Sequence, residues 1–111
     1  MLLFKKKFLP AIRQGEKTQT IRLWKHRRLR SGQRSYIPGA GYVRIDAVEE
    51  VQLERLTDDD ARLDGFDTAD ELRAEIERIY PPGTATGYRA YRVVFELLPA
   101  EEQKKQPKAR T

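Results

Sequence analysis

The stretch "FLPAIRQGEKTQTIRL", residues 8–23, decides how this chain is read. Phe8, Leu9 and Ile12 fall on one helical face, Pro10 suits a first helical turn, and Gly15 is a stop signal. Directly after the stop, "TQTIRL" (18–23) alternates and is rich in β-branched residues, which predicts a strand. A short helix thus hands over to a strand through a glycine and a lysine.

Working outward, "MLLF" (1–4) reads as a short buried strand ending at the Lys5–Lys7 run, and "QRSYIP" (33–38) as another strand. "PGAG" (38–41) is turn chemistry and opens the longest strand candidate, "YVRIDAVEEVQLERL" (42–56). Val43, Ile45, Ala47, Val51 and Leu53 are expected inward, with a bulge near Glu49–Glu50 where the alternation slips. "TDDDARLDG" (57–65) predicts one or two helical turns capped by Thr57 and halted at Gly65. "TADELRAEIERIYPP" (68–82) carries a capping box, Thr68 with Glu71, an apolar stripe of Leu72, Ile76 and Ile79, and a stop at Pro81–Pro82. After a Gly/Thr-rich loop at 83–87, "GYRAYRVVFELL" (87–98) predicts the last strand. Residues 99–111 are polar and proline-bearing, which predicts a disordered tail behind a single domain at 1–98.

The order contains five or so strands and two or three short helices, with no repeats and no parallel crossover. That pattern predicts an α+β fold, a small, mainly antiparallel barrel with helices attached.

Composition narrows the function. At 111 residues the chain is one domain, with no apolar run near the twenty or so residues that span a bilayer. "MLLFKKKFLP" lacks the order and cleavage site of a signal peptide, so a cytoplasmic protein is expected. The absence of cysteine removes thiolate chemistry, and a single histidine, His26, argues against a zinc site. Neither a metal nor another cofactor is expected. Asp58–Asp60 suit a first helical turn and lack the spacing of a calcium loop.

The net charge of +5 conceals a strong segregation: residues 1–44 carry +11 and residues 45–77 carry −10. Such a division predicts one positive face able to attract a polyanion, or a neutralisation of the basic half by the acidic helices. Arg22, Lys25, Arg27, Arg28, Arg30 and Arg34 form the candidate nucleic-acid contact, because arginine offers forked donors to phosphate and a flat face to bases. Trp24, within the same run, either stacks an unpaired base or closes the bottom of the barrel. Tyr80, Tyr88 and Tyr91 are candidates for the lining of a base-sized pocket, with core packing the alternative for Tyr91.

"FLPAIRQGEKTQTIR", the "LRSGQ" turn, "DGFDTADELRAEIERIYP" and the "YRVVFELL" strand together resemble the ASCH domains, relatives of the PUA RNA-binding barrel, over residues 3–98. The resemblance implies a PUA-like barrel and RNA binding. One branch of that family resembles small amidohydrolases that deacylate N4-acetylcytidine, with a catalytic lysine, threonine and glutamate. These fall on Lys17, Thr20 and, in the register set by the following helix, Asp64, an aspartate one methylene shorter.

A threonine nucleophile needs a base, and a lysine serves as one only when burial or a neighbouring cation lowers its pKa; Arg22 is placed to do this. Asp64 would orient Lys17 or hold the amide. The alternative is that Lys17 caps the helix, Thr20 is a solvent-facing strand residue and Asp64 is solvated beside Gly65. The leading expectation is an RNA- or modified-nucleoside-binding domain that uses residues 17–34. The second is a metal-independent amidohydrolase, followed by an RNA-cleaving enzyme and a protein-interaction module. The oligomeric state stays open, a monomer being favoured.

Overall fold

Four antiparallel strands, β1 (Gln19–Trp24), β4 (Arg89–Leu97), β3 (Gly41–Val51) and β2 (Arg34–Ile37), lie side by side in that order in a sheet curled into a half-barrel. The computed structural model describes residues 1–81 and 86–103. Within them lie α1 (Leu9–Arg13), β1 (Gln19–Trp24), β2 (Arg34–Ile37), β3 (Gly41–Val51), α2 (Asp58–Leu63), α3 (Ala69–Ile79), β4 (Arg89–Leu97) and α4 (Ala100–Gln103). The α+β class and antiparallel sheet agree with the sequence pattern, though with four strands rather than five.

The missing strand is "MLLF". Leu2 is buried and its N–H donates to the Tyr36 carbonyl at 2.9 Å, yet Met1–Phe4 form no ladder. Three consecutive lysines cannot all point away from a core in an alternating strand, and Lys6–Phe8 form a 3-10 turn instead. This segment touches β2 through Leu2 and β1 through the Leu3 carbonyl, which accepts from Arg22 Nη2 at 2.7 Å. It therefore bridges the two free edges of the sheet.

β3 bulges between Ile45 and Ala47, several residues before the expected position at Glu49–Glu50. The extra residue switches the alternation, so Val43, Ile45 and Val48 are buried, while Ala47, Val51 and Leu53 are only partly covered. The strand ends at Val51, and Leu53–Arg55 form a 3-10 turn.

Both acidic helices start as their sequences predict. Thr57 and Thr68 each accept from the N–H three residues on, and Asp60 and Glu71 return the bond to the cap backbone. Leu72 and Ile76 pack with Ile21, Leu56, Ala61 and Ala90 into a second core outside the sheet, worth roughly 1.5–3 kcal/mol for each large side chain. Ile79, expected in that stripe, is 51% exposed. The larger core fills the half-barrel and includes Ile12, Ile37, Ile45, Val93 and Phe95.

Beyond β4, Ala100–Gln103 form a helical turn held by Gln103, whose amide bonds the Tyr42 N–H and the Tyr42 and Leu98 carbonyls. The first residues of the expected tail are thus docked, and the rest of it, 104–111, lies outside the described residues, as do 82–85. No helix among the described residues is long and apolar enough to cross a membrane.

Candidate ligand cleft at the free edge of β1

β1 has β4 on one side and no strand on the other, so its outer edge lies open between the amino-terminal segment and α3. A cleft of about 250 Å³ occupies that gap. Phe4 and Phe8 from the amino-terminal segment and Ile76, Ile79 and Tyr80 from α3 and its cap line it, together with Lys17, Thr20, Arg22 and Asp64. The three residues singled out for catalysis therefore share one cleft.

Local backbone geometry explains how they meet. Gly15, at φ +78°, lets the Glu16 and Lys17 N–H groups both fold back onto the Ala11 carbonyl, which ends α1 and turns Lys17 inward. Gly65, at φ +93°, ends α2 in the same way, and the Phe66 N–H returns to the Ala61 carbonyl. The Thr18 N–H then donates to the Leu63 carbonyl at 3.2 Å and ties the two helix ends together.

Lys17 and Asp64 are both 3% exposed. Lys17 Nζ lies 2.5 Å from Asp64 Oδ1 and also donates to the Asp64 carbonyl and, at 3.1 Å, to the Gln19 carbonyl. All three ammonium hydrogens are spent, one on the carboxyl end of α2, where a cation suits the helix dipole. The same nitrogen sits 4.8 Å from the Phe8 ring centroid. Burial holds the Lys17 ammonium below its ordinary pKa, with Asp64 opposing and Arg22 adding to the shift. Burial likewise pushes the Asp64 carboxyl up, against the pull of Lys17. Both members are drawn toward their neutral forms.

Asp64 Oδ2 is buried and makes no hydrogen bond to any described residue. The Ile21 backbone N–H also favours the carboxylate, to a lesser degree than Lys17 does. Thr20, 5% exposed, accepts from Arg22 Nε at 2.9 Å through Oγ1. No hydrogen bond joins Thr20 to Lys17. The Arg22 guanidinium lies over Phe4, 4.8 Å from its centroid. At the mouth, Lys5 Nζ reaches Glu75 Oε2 at 2.7 Å, and Arg78 also grips Glu75, whose carboxyl falls to about 2.

Of the basic run, only Arg22 enters this cleft. Trp24 is half-buried and packs on Tyr91, ring centroids 5.6 Å apart, as part of the main core. Lys25 lies over Tyr88, Arg27 donates to the Val48 carbonyl at 2.7 Å, and Arg34 lies over Tyr42 and donates to the Glu102 carbonyl. Among the described residues, Arg22, Lys25, Arg27, Arg28 and Arg30 form no ion pair, whereas the acidic residues of α2 and α3 pair with Arg62, Arg73, Arg78, Arg92 and Lys5. Among the described residues, the acidic helices form no ion pair with these five cations.

Tyr80 lines the cleft, while Tyr91 belongs to the core and Tyr88 stands 6.4 Å from Tyr80 outside the lining. Phe4, Phe8 and Glu75 were not expected here. The one sequence signal for the phenylalanines is the lysine run between them, which is incompatible with a buried strand. No cluster of three His, Cys, Asp or Glu side chains among the described residues could hold a metal ion.

No family pattern matches this chain, and no curated protein matches it either. Its fold is similar to that of hypothetical protein PH0355, with a TM-score of 0.73 and 16% identity over 86% of this chain and 95% of the other. It is also similar to protein EF3133 from Enterococcus faecalis V583, of family DUF984, with a TM-score of 0.66 and 17% identity over 83% and 70%. Protein PF0455 from Pyrococcus furiosus gives 0.65 and 20% identity over 86% and 94%. These likenesses concern the fold alone.

Proposed function

We propose that the β1-edge cleft binds the base of a modified nucleoside or of an unpaired RNA nucleotide, as an ASCH-type, PUA-like domain would. The observation that carries this reading is the unpartnered Asp64 Oδ2 in an aromatic-walled cleft. A buried acceptor without a donor is costly, and the amino or ring N–H of a base supplies one. Phe4, Phe8 and Tyr80 suit the flat faces of a base, and the volume falls just below the usual small-ligand range of about 300–1,000 Å³. The unpaired cations of residues 25–30 attract a polyanion toward the cleft.

Calorimetric titration with cytidine and N4-acetylcytidine, beside a salt series with short single-stranded RNA, tests the reading. Saturable nucleoside binding that weakens in Asp64→Leu supports it. Absence of nucleoside binding, together with RNA affinity indifferent to salt, overturns it.

A second reading, deacylation of N4-acetylcytidine, is favoured by Lys17, Thr20 and Asp64 lining one cleft. Thr20 Oγ would attack the acyl carbon, its proton passing to neutral Lys17 and on to the departing amine; water would then hydrolyse the acyl-threonine ester to acid and free threonine. Lys17 must first release one of its three hydrogen bonds to reach Thr20. Release of cytidine and acetate, lost in Lys17→Ala, checks this. RNA scission has less support, because His26 is exposed and outside the cleft lining.

A further inference from the structure

The β1-edge cleft does not end at Arg22. A second hollow of about 430 Å³ adjoins it, sharing Leu3 and Arg22 and running on beneath Trp24, Arg28 and Gln33. The two hollows differ in charge. Asp64 and Glu75 line the first, whereas no acidic residue lines the second.

Arg22 forms the wall between them and is fixed there. Its Nε is spent on Thr20 Oγ1, its Nη2 on the Leu3 carbonyl, and its flat face on Phe4. Nη1 makes no hydrogen bond to any described residue, so this guanidinium has donors to spare at a defined place. Arg28 is exposed and enters no ion pair among the described residues. Its loop is nonetheless anchored: Leu29 is buried beside it, the Arg30 N–H donates to Gln33 Oε1 at 3.0 Å, and the Gly32 N–H to the Ile45 carbonyl at 2.7 Å.

Two guanidinium groups around a hollow without carboxylates suit a tetrahedral oxyanion, whose several oxygens accept forked donors. A ligand spanning both hollows carries a flat donor-bearing ring at one end and an anion at the other. We propose that the second hollow is a phosphate subsite, held by Arg22 and Arg28, so that the site takes a nucleotide rather than a free nucleoside. This rests on the base-binding reading of the first hollow. The phosphate belongs either to a mononucleotide or to the phosphodiester beside an unpaired base.

Titrations at low salt with cytidine, cytidine monophosphate, a short oligocytidylate and inorganic phosphate alone, followed by the Trp24 indole N–H resonance and by calorimetry, decide the matter. The monophosphate is expected to bind about tenfold more tightly than cytidine, a preference that shrinks with salt. Arg28→Gln should abolish the preference, and Arg62→Gln, an equal loss of charge outside both linings, should keep it. An oligonucleotide tighter than the monophosphate identifies the phosphodiester source, and equal affinities identify the mononucleotide; each supports the subsite. Equal binding of cytidine and its monophosphate overturns the subsite and leaves the base cleft standing. Phosphate that shifts Trp24 in a protein blind to cytidine upholds the subsite and overturns the base cleft.

Discussion

The ammonium of Lys17 lies 2.5 Å from the carboxylate of Asp64, with side-chain exposures of 2% and 4%. Forty-seven residues separate them, and only the meeting of two glycine-terminated helix ends brings them together. An ion pair so dry is a poor stabiliser but a costly thing to break, because the survivor keeps a buried charge.

Asp64→Ala should therefore destabilise the fold by about 3–5 kcal/mol, and Lys17→Met/Asp64→Leu should recover most of that loss. Urea denaturation of the two variants measures the difference. A double variant no more stable than Asp64→Ala would contradict the argument.

The ion pair at the cleft mouth should govern part of the acid response. Arg78 first and Lys5 second hold the folded Glu75 carboxyl at about 2, against an ordinary value of 4.5. A depressed carboxyl contributes stability that is full above 4.5 and lost as pH falls toward 2. Glu75→Gln should flatten stability against pH across that window, as read from denaturation midpoints at stepped pH.

Thr20→Val keeps the shape of the side chain and removes the acceptor of Arg22 Nε. Stability should fall by about 1–2 kcal/mol, the cost of leaving a buried polar group unpaired. Affinity for N4-acetylcytidine should stay within about threefold, since the base-facing acceptor is Asp64. If the protein deacylates that nucleoside, cytidine release should vanish while binding persists, a separation that chromatography and calorimetry measure on the same sample.

Thr68→Ala removes the cap of the helix that forms one wall of the cleft. A loss of about 1 kcal/mol is expected, and Thr68→Ser should restore nearly all of it. Thermal unfolding followed by circular dichroism provides the comparison.

Much of the fold is written in local sequence. Thr57, Thr68, Gly15 and Gly65 mark helix ends because caps and left-handed turns depend on neighbours within a few residues. Three readings met non-local limits. "MLLF" has the apolar content of a strand but finds only one backbone partner among the described residues, at Tyr36. The β3 bulge sits where β4 demands it, at Asp46, and strand pairing is invisible in one strand's alternation. Ile79 continues a helical stripe that has run past the edge of the core.

For the site, the order of residues already names the groups present: a lysine and a threonine beside a glycine turn, an aspartate before another, and a basic run distinct from an acidic half. The folded chain adds that Lys17 gives its donors to Asp64 and the Gln19 carbonyl, that Arg22 rather than Lys17 bonds Thr20, and that Trp24 packs on Tyr91. It also sets the acidic side chains of α2 and α3 against other cations, so that among the described residues none of them forms an ion pair with Lys25, Arg27, Arg28 or Arg30. The difference is one of range: caps and turns are settled within one helical turn of chain. Burial and hydrogen-bond choice are settled by whichever distant elements close over the edge of β1.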